Sequence, residues 1–382
     1  MAAKPIIILG LSGSIGRQAL ECVEKANQEK PGTYEIAGAS AHRNQESLLA
    51  LKAKYPKAIL ALSGREEADP AVAFSGDQAI RDLLRETDAA MALNGIMGSD
   101  GLKASYYALE TGKHLALANK ESVVMGYSLL EEMAVRQGLD IVPVDSEHAA
   151  LFQLVRRIGP SSIQELCITA SGGPFRDMPL ESLAGITPDQ AAAHPVWKMG
   201  RKISIDSATL ANKGLELIEA ARLFHVPESK VRVLIHPQSI VHALARSLDG
   251  ALIAHMSPPD MRLPIEIALA WPKEAQSLFP TLDLAGKSLS FSEPDDVKFP
   301  MLSLARHALR QGEAGTVAYN AADEAAVEAF EAGRIGFLDI PRIVAGVLEK
   351  DWSFPLSGLG SIFECDTRAR GLAEKLIGEF LR

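Results

Sequence analysis

Ten residues, Leu139-Asp140-Ile141-Val142-Pro143-Val144-Asp145-Ser146-Glu147-His148, constrain this chain more than any other stretch. An apolar run that reads as a buried strand stops in two carboxylates with a serine between them. Residues two apart on a strand point the same way, so Asp145 and Glu147 can converge just beyond the strand end. In open α/β sheets that edge is where ligands bind. Two hard oxygen donors, with no cysteine and only His148 nearby, suit Mg²⁺ or Mn²⁺ better than zinc. Taken alone, a helix N-terminus with acids in its first turn explains the same residues. The rest of the chain tips the balance.

Pro5-Ile6-Ile7-Ile8-Leu9 is a β-branched, wholly apolar run, as expected of a central parallel strand. Gly10-Leu11-Ser12-Gly13-Ser14-Ile15-Gly16 follows and opens a helix to about Asn27. This G-x-x-G-x-x-G turn permits close backbone approach and points a helix N-terminus at a pyrophosphate. The second strand, from Tyr34 to about Ala39, ends in Ser40-Ala41-His42-Arg43-Asn44, with a cation where an NAD enzyme places an acid. Arg43 can pair with the 2′-phosphate of NADP, so NADP is favoured over NAD. Alternation of strand and helix continues from Leu48 to Ile96, which predicts a doubly wound α/β sheet. His114–Ala118 reads as a further buried strand, followed by Asn119-Lys120-Glu121-Ser122, where Lys120 shares the sheet edge with Asp145 and is a candidate for substrate contact.

Beyond the acidic pair the parallel alternation fades. A strand at Glu165–Ala170 leads into Ser171-Gly172-Gly173-Pro174-Phe175, which serves equally as an anion nest or as a plain turn. Ala193–Gly200 reads as a loop carrying Trp197 and Met199, either a lid over substrate or a segment packed on the surface. If the chain is helical from about Ala208, Asn212 and Glu216 lie four apart and Lys213 and Glu216 three apart. Ser207, Asn212 and Lys213 then offer hydroxyl, amide and ammonium donors suited to phosphate, and Glu216 can supply a third oxygen to a metal. A capped surface helix with an internal Lys–Glu pair has the same spacing. Strands are expected at Val231–Ile235 and Ala251–Met256, with His236, His242 and His255 in structural roles. Residues 271–300 read as a connecting segment and 301–382 as a helical domain whose Asn320–Phe330 helix stops at Gly333.

Length and composition narrow the function class. At 382 residues two or three domains are expected. A net charge of −9 argues against a nucleic-acid surface. Cys22, Cys167 and Cys365 show no paired spacing, which argues against a disulfide framework or zinc site and for a reducing compartment. No apolar run reaches membrane-spanning length, and a strand begins by Pro5, so a cytoplasmic protein without a leader or membrane association is expected.

In combination these motifs resemble the 1-deoxy-D-xylulose 5-phosphate reductoisomerase family. The carriers are residues 10–16, AHRN (41–44), ANKES (118–122), PVDSEHAA (143–150), SGGPF (171–175), MGRKISIDSATLANKGLE (199–216) and IHPQSIVHA (235–243). The resemblance implies a Rossmann-like NADP-binding domain (1–144), an α+β catalytic and dimerisation domain (145–270), a linker (271–300) and a small C-terminal helical domain (301–382). It implies NADPH contacts from Ser12, Gly13, Ser14, Ile15, His42, Arg43, Asn44, Asn119, Glu121 and Gly200. Asp145, Glu147 and Glu216 would bind Mg²⁺ or Mn²⁺. Lys120, Ser146, Glu147 and Glu216 would meet the sugar phosphate, with Ser171, His194, Ser207, Asn212 and Lys213 on its phosphate; Lys120, Glu147 and His194 would be catalytic. Trp197 and Met199 would belong to a flexible lid. The implied reaction is isomerisation and NADPH reduction to 2-C-methyl-D-erythritol 4-phosphate by a homodimer, within isoprenoid precursor synthesis. Leu11 and Ser12 replace the family's usual Ser-Thr, His42 stands where glycine is frequent, and Val196 and Lys198 are not the commonest lid residues.

Two other classes share parts of this pattern. A two-domain NADP dehydrogenase acting on a semialdehyde or sugar has the glycine turn but no need of three carboxylates. An NADP-sensing protein has no need of a second phosphate pocket.

Overall fold

The computed structural model describes residues 2–194, 196–197 and 199–380. In chain order the elements are β1 (Lys4–Leu9), α1 (Ser14–Glu29), β2 (Tyr34–Ala41), α2 (Gln45–Lys54), β3 (Ile59–Leu62), β4 (Phe74–Ser75), α3 (Ala79–Glu86), β5 (Met91–Asn94), α4 (Asp100–Glu110), β6 (His114–Leu117), α5 (Lys120–Gln137), β7 (Ile141–Pro143) and α6 (Ser146–Ile158). There follow β8 (Ile163–Ala170), α7 (Pro188–Ala191), α8 (Arg201–Thr209), α9 (Ala211–Leu223), β9 (Val231–Ile235), β10 (Val241–Ser247), β11 (Leu252–Met256), α10 (Arg262–Ala270), α11 (Met301–Arg310), α12 (Glu313–Glu331), α13 (Asp339–Leu348) and α14 (Gly358–Phe380). The chain groups into two compact units: Met1–Ser122, Tyr127–Ala149 and Asp260–Thr281 form the first, and Val123–Gly126, Ala150–Pro259 and Leu282–Arg382 the second.

The first unit is the expected doubly wound α/β sheet. Its seven strands run β4-β3-β2-β1-β5-β6-β7, and every pairing is parallel. Ile6, Ile7, Ile8 and Leu9 are wholly buried, as a central strand covered on both faces requires. The order reverses between β1 and β5, and the loops leaving these two strands meet at that switch point. Gly16 is needed there: a Cβ on it would stand 2.3 Å from the Gly10 carbonyl oxygen, so any side chain would push α1 off the turn.

The second unit holds a four-stranded sheet in the order β11-β10-β8-β9. β10 is antiparallel to both neighbours, while β8 and β9 are parallel. One face forms a core in which Leu151, Leu154, Leu166, Ile168, Leu217, Val231, Val233 and Leu302 pack together. α11–α14 make the expected C-terminal helical layer, with α12 buried along almost its whole length. Alanines dominate that helix and let its neighbours approach closely. All three cysteines are free and buried, and no helix among the described residues is long and apolar enough to cross a membrane.

The structure departs from expectation in three places. β10 is an unforeseen strand, because His242 and Arg246 interrupt its apolar run. α8 precedes the expected helix from Ala208, and Leu210, in the left-handed region at φ 63°, separates it from α9. The domain boundaries also differ. Asp260–Thr281 groups with the N-terminal sheet, not with a catalytic domain ending at 270 and a linker from 271 to 300. Physically, α10 buries Ile265, Ala268 and Leu269. The Lys4 ammonium donates to the Leu269 carbonyl at 2.9 Å, Trp271 Nε1 donates to Asp140 at 2.8 Å, and Arg262 pairs with Glu21 at 2.5 Å. Residues 282–300, expected as part of the linker, group with the second unit, as do the C-terminal helices after them.

Candidate active site

In the first unit, the turn after β1 leaves α1 with Gly13 as its N-cap and no side-chain cap. Its first-turn N–H groups have no side-chain cap, an arrangement that can receive an anion such as a pyrophosphate. Past β2, His42, Arg43 and Asn44 are exposed. Asn44 caps α2 by accepting from Ser47 N at 3.0 Å, and the His42 ring lies 3.2 Å from Ser63 Oγ. Arg43 forms no ion pair among the described residues, and its guanidinium faces solvent.

Asn119 and Glu121 are buried and wired into the segment after β5. Asn119 caps α5 by accepting from Ser122 N at 2.8 Å, and its Nδ2 donates to Glu121 at 2.7 Å and to the Gly98 carbonyl at 3.0 Å. Glu121 accepts from Gly98 N at 3.2 Å. These bonds fix the start of α5, where Lys120 sits.

Asp145 and Glu147 are not on the strand. β7 stops at Pro143, and α6 begins at Ser146. Asp145 accepts from Glu147 N at 3.2 Å, acting as an N-cap, and Glu147 stands in the first helical turn. The helix-start reading of the sequence was therefore right locally, and the convergence survives it: carboxylate oxygens of the two residues lie within 4.8 Å of each other. That separation suits two hard ligands on one small divalent cation. Lys120 Nζ pairs closely with Asp145 Oδ2, His148 Nδ1 meets Asp145 Oδ1 at 2.9 Å, and Ser146 donates to Glu147. Burial works to raise the Asp145 pKa, but Lys120 and the His148 hydrogen bond outweigh it and hold the carboxyl well below its usual range. An anionic Asp145 is what a metal ligand must be. His148 is a contributor that sequence reasoning left without a role; its place three residues after Asp145 in a helix is the signal that could have found it.

In the second unit, Ser171-Gly172-Gly173 turns sharply, with φ of 84° and 70° at the two glycines. A Cβ on Gly173 would lie 2.7 Å from the Ser207 carbonyl oxygen, so the turn sits directly on α8. His194 Nε2 lies 3.0 Å from Ser171 Oγ. Its Nδ1 accepts from Trp197 N at 2.9 Å and Val196 N at 3.2 Å. The proton is thus on Nε2, which donates to the serine. Asn212 donates to Glu216 Oε1 at 2.6 Å, and the buried Lys213 pairs closely with Glu216 Oε2, as the three- and four-residue spacing predicted. Gly200 caps α8 without a side chain. Between α7 and α8, the Trp197 ring centroid lies 6.3 Å from that of His242; Pro195 and Lys198 lie outside the described residues.

Burial, with Lys213 next in effect, lowers the His194 pKa to about 4. The folded value lies below the unfolded one of about 6.5, so folding favours the neutral ring. That contribution to stability is complete above the unfolded value and is lost as pH falls towards the folded one. In histidine-selective NMR at pH 6, His194 should still be the neutral Nε2–H tautomer; an imidazolium signal there would refute the assignment.

Family models cover most of the chain. A model of 1-deoxy-D-xylulose 5-phosphate reductoisomerase matches residues 6–126, one of its C-terminal domain matches 141–224, and a further DXP reductoisomerase C-terminal domain model matches 256–372. Reductoisomerases of that name from Moorella thermoacetica and Treponema pallidum are 45% and 42% identical, covering 96% and 99% of this chain and 97% and 99% of their own. Among solved structures, the Zymomonas mobilis reductoisomerase in complex with NADPH superposes with a TM-score of 0.88 at 38% identity, over 98% of this chain and 99% of that one. A DOX-P reductoisomerase in complex with NADPH, fosmidomycin and magnesium gives 0.89 at 35% identity, over 98% of both. With similarity of this extent running through both units, the chain belongs to the 1-deoxy-D-xylulose 5-phosphate reductoisomerase family.

Proposed function

We propose that this protein converts 1-deoxy-D-xylulose 5-phosphate to 2-C-methyl-D-erythritol 4-phosphate with NADPH and a divalent cation, as an oxidoreductase of isoprenoid precursor synthesis. The observation that carries the reading is the end-to-end likeness to a relative solved with NADPH, fosmidomycin and magnesium. Asp145, Glu147 and Glu216 are assigned to the cation, Mg²⁺ or Mn²⁺, as hard anionic donors. The cation supplies Lewis acidity to the substrate's ketone and hydroxyl oxygens, and NADPH supplies the hydride. The rest is done by this chain's own groups. Lys120 and Ser146 hold and orient the sugar chain, with Lys120 keeping Asp145 ionised in the meantime. Ser171, Ser207, Asn212, Lys213 and the His194 Nε2–H hold the phosphate, whose binding energy offsets the cost of ordering the loop that carries Trp197 and Met199. Ser12, Gly13, Ser14 and Ile15 receive the pyrophosphate. His42, Arg43 and Asn44 receive the adenosine phosphate, and Asn119, Glu121 and Gly200 lie along the cofactor.

The cytoplasm is the assigned compartment, in keeping with three unpaired, buried cysteines. A homodimer is the assigned assembly. β11 is a sheet edge whose Leu252 and Ile253 are exposed, and such an edge invites pairing with another chain.

The test is NADPH oxidation with 1-deoxy-D-xylulose 5-phosphate. Turnover should vanish in EDTA and return with Mn²⁺ or Mg²⁺. Activity indifferent to chelation would move the protein to a metal-free dehydrogenase class.

A further inference from the structure

α8 carries Ser207, yet its only apolar residues are Ile203, Ile205 and Ala208. What ties its inner side to α12 is polar. Lys202 Nζ lies 2.7 Å from Asp206 Oδ2, one turn along α8, and 3.1 Å from Asp323 Oδ2 on α12. Asp206 is 1% exposed and Asp323 0%. Burial, opposed by Lys202, raises the Asp323 pKa.

This cluster is a poor device for stability. Dehydrating two acids and an ammonium is costly, and apolar residues of similar volume would stabilise at least as well. It is a good device for register. Asp323 sits on α12 between Ala321, Ala322, Ala325 and Ala326, a smooth surface along which an apolar neighbour could settle at several heights. Directional bonds to one carboxylate select a single height. The same helix sets α9: Tyr319, one turn before Asp323, stands so close to Gly214 that a Cβ there would lie 2.5 Å from its hydroxyl. Because the Ser171 turn rests on the Ser207 carbonyl, a shift of α8 changes the spacing of the Ser171 and Ser207 hydroxyls.

We propose that Lys202, Asp206 and Asp323 are positioning residues that pin α8 on α12 and thereby set Ser207 against Ser171 for the substrate's phosphate. This rests on the reading of Ser207 as a phosphate ligand. The test compares full-length wild type with Asp323→Leu, Asp323→Asn and Lys202→Met, assayed with 1-deoxy-D-xylulose 5-phosphate, NADPH and Mn²⁺. Asp323→Leu should fold, by circular dichroism, and raise KM for the sugar phosphate about ten-fold while KM for NADPH moves less than about two-fold. Asp323→Asn keeps an acceptor for Lys202 and should return to within about three-fold of wild type. If Asp323→Leu does not fold, Lys202→Met, at a partly exposed position, carries the same expected split. An unchanged sugar-phosphate KM in a folded variant, a parallel rise in both KM values, or no rescue by asparagine would overturn the pin. Wild type without turnover overturns the phosphate reading itself; with active wild type, the KM split judges the pin alone.

Discussion

Glu216→Gln should lower turnover of 1-deoxy-D-xylulose 5-phosphate by at least about a thousand-fold, the loss expected when an anionic metal ligand becomes a neutral amide. The side chain keeps its volume, and one amide oxygen can still accept from Asn212 or Lys213, which now contact the two carboxylate oxygens. What changes is charge. The buried Lys213 exchanges a carboxylate partner for a neutral amide oxygen, which weakens a buried ion pair. A fall in thermal midpoint should therefore accompany the loss of activity. The controls are NADPH fluorescence titration and folding by circular dichroism. NADPH affinity should stay within about three-fold of wild type, because the groups assigned to the cofactor retain their charges. Retained turnover at ordinary metal concentrations would remove Glu216 from the metal set.

Arg43→Glu should reverse the cofactor preference. Arg43 is exposed and without an ion pair among the described residues, so its guanidinium is available to a 2′-phosphate at little desolvation cost. A bidentate arginine–phosphate contact is among the stronger polar contacts in proteins. Glutamate replaces attraction with repulsion for NADPH and offers the ribose hydroxyls of NADH an acceptor. The ratio of kcat/KM for NADPH over NADH should fall by about a hundred-fold or more, mostly through KM for NADPH. The fold should not change, since the side chain is solvated and the cap of α2 is Asn44, not Arg43. A ratio that stays put would move 2′-phosphate recognition to another group, with His42, beside Ser63, the first to examine.

The sequence by itself determined whatever depends on short-range pattern. The apolar run into β1, the glycine turn and the 3.6-residue spacing of Asn212, Lys213 and Glu216 are local, so their geometry followed from backbone sterics and helix periodicity. β10 escaped notice because polar side chains broke its run, and α10 because what places it is burial against elements more than a hundred residues away. The carboxylates show the division most sharply. Local pattern allowed either a strand end or a helix start at Asp145 and Glu147, and both predict acids close together. Only the tertiary structure closed the Lys120–Asp145 pair, kept His194 neutral by burial, and set Asp323 against Lys202 and Asp206. Each of those outcomes is a contact between residues far apart in the chain or a protonation state set by burial, and neither distance in space nor dehydration is written in the order of the residues.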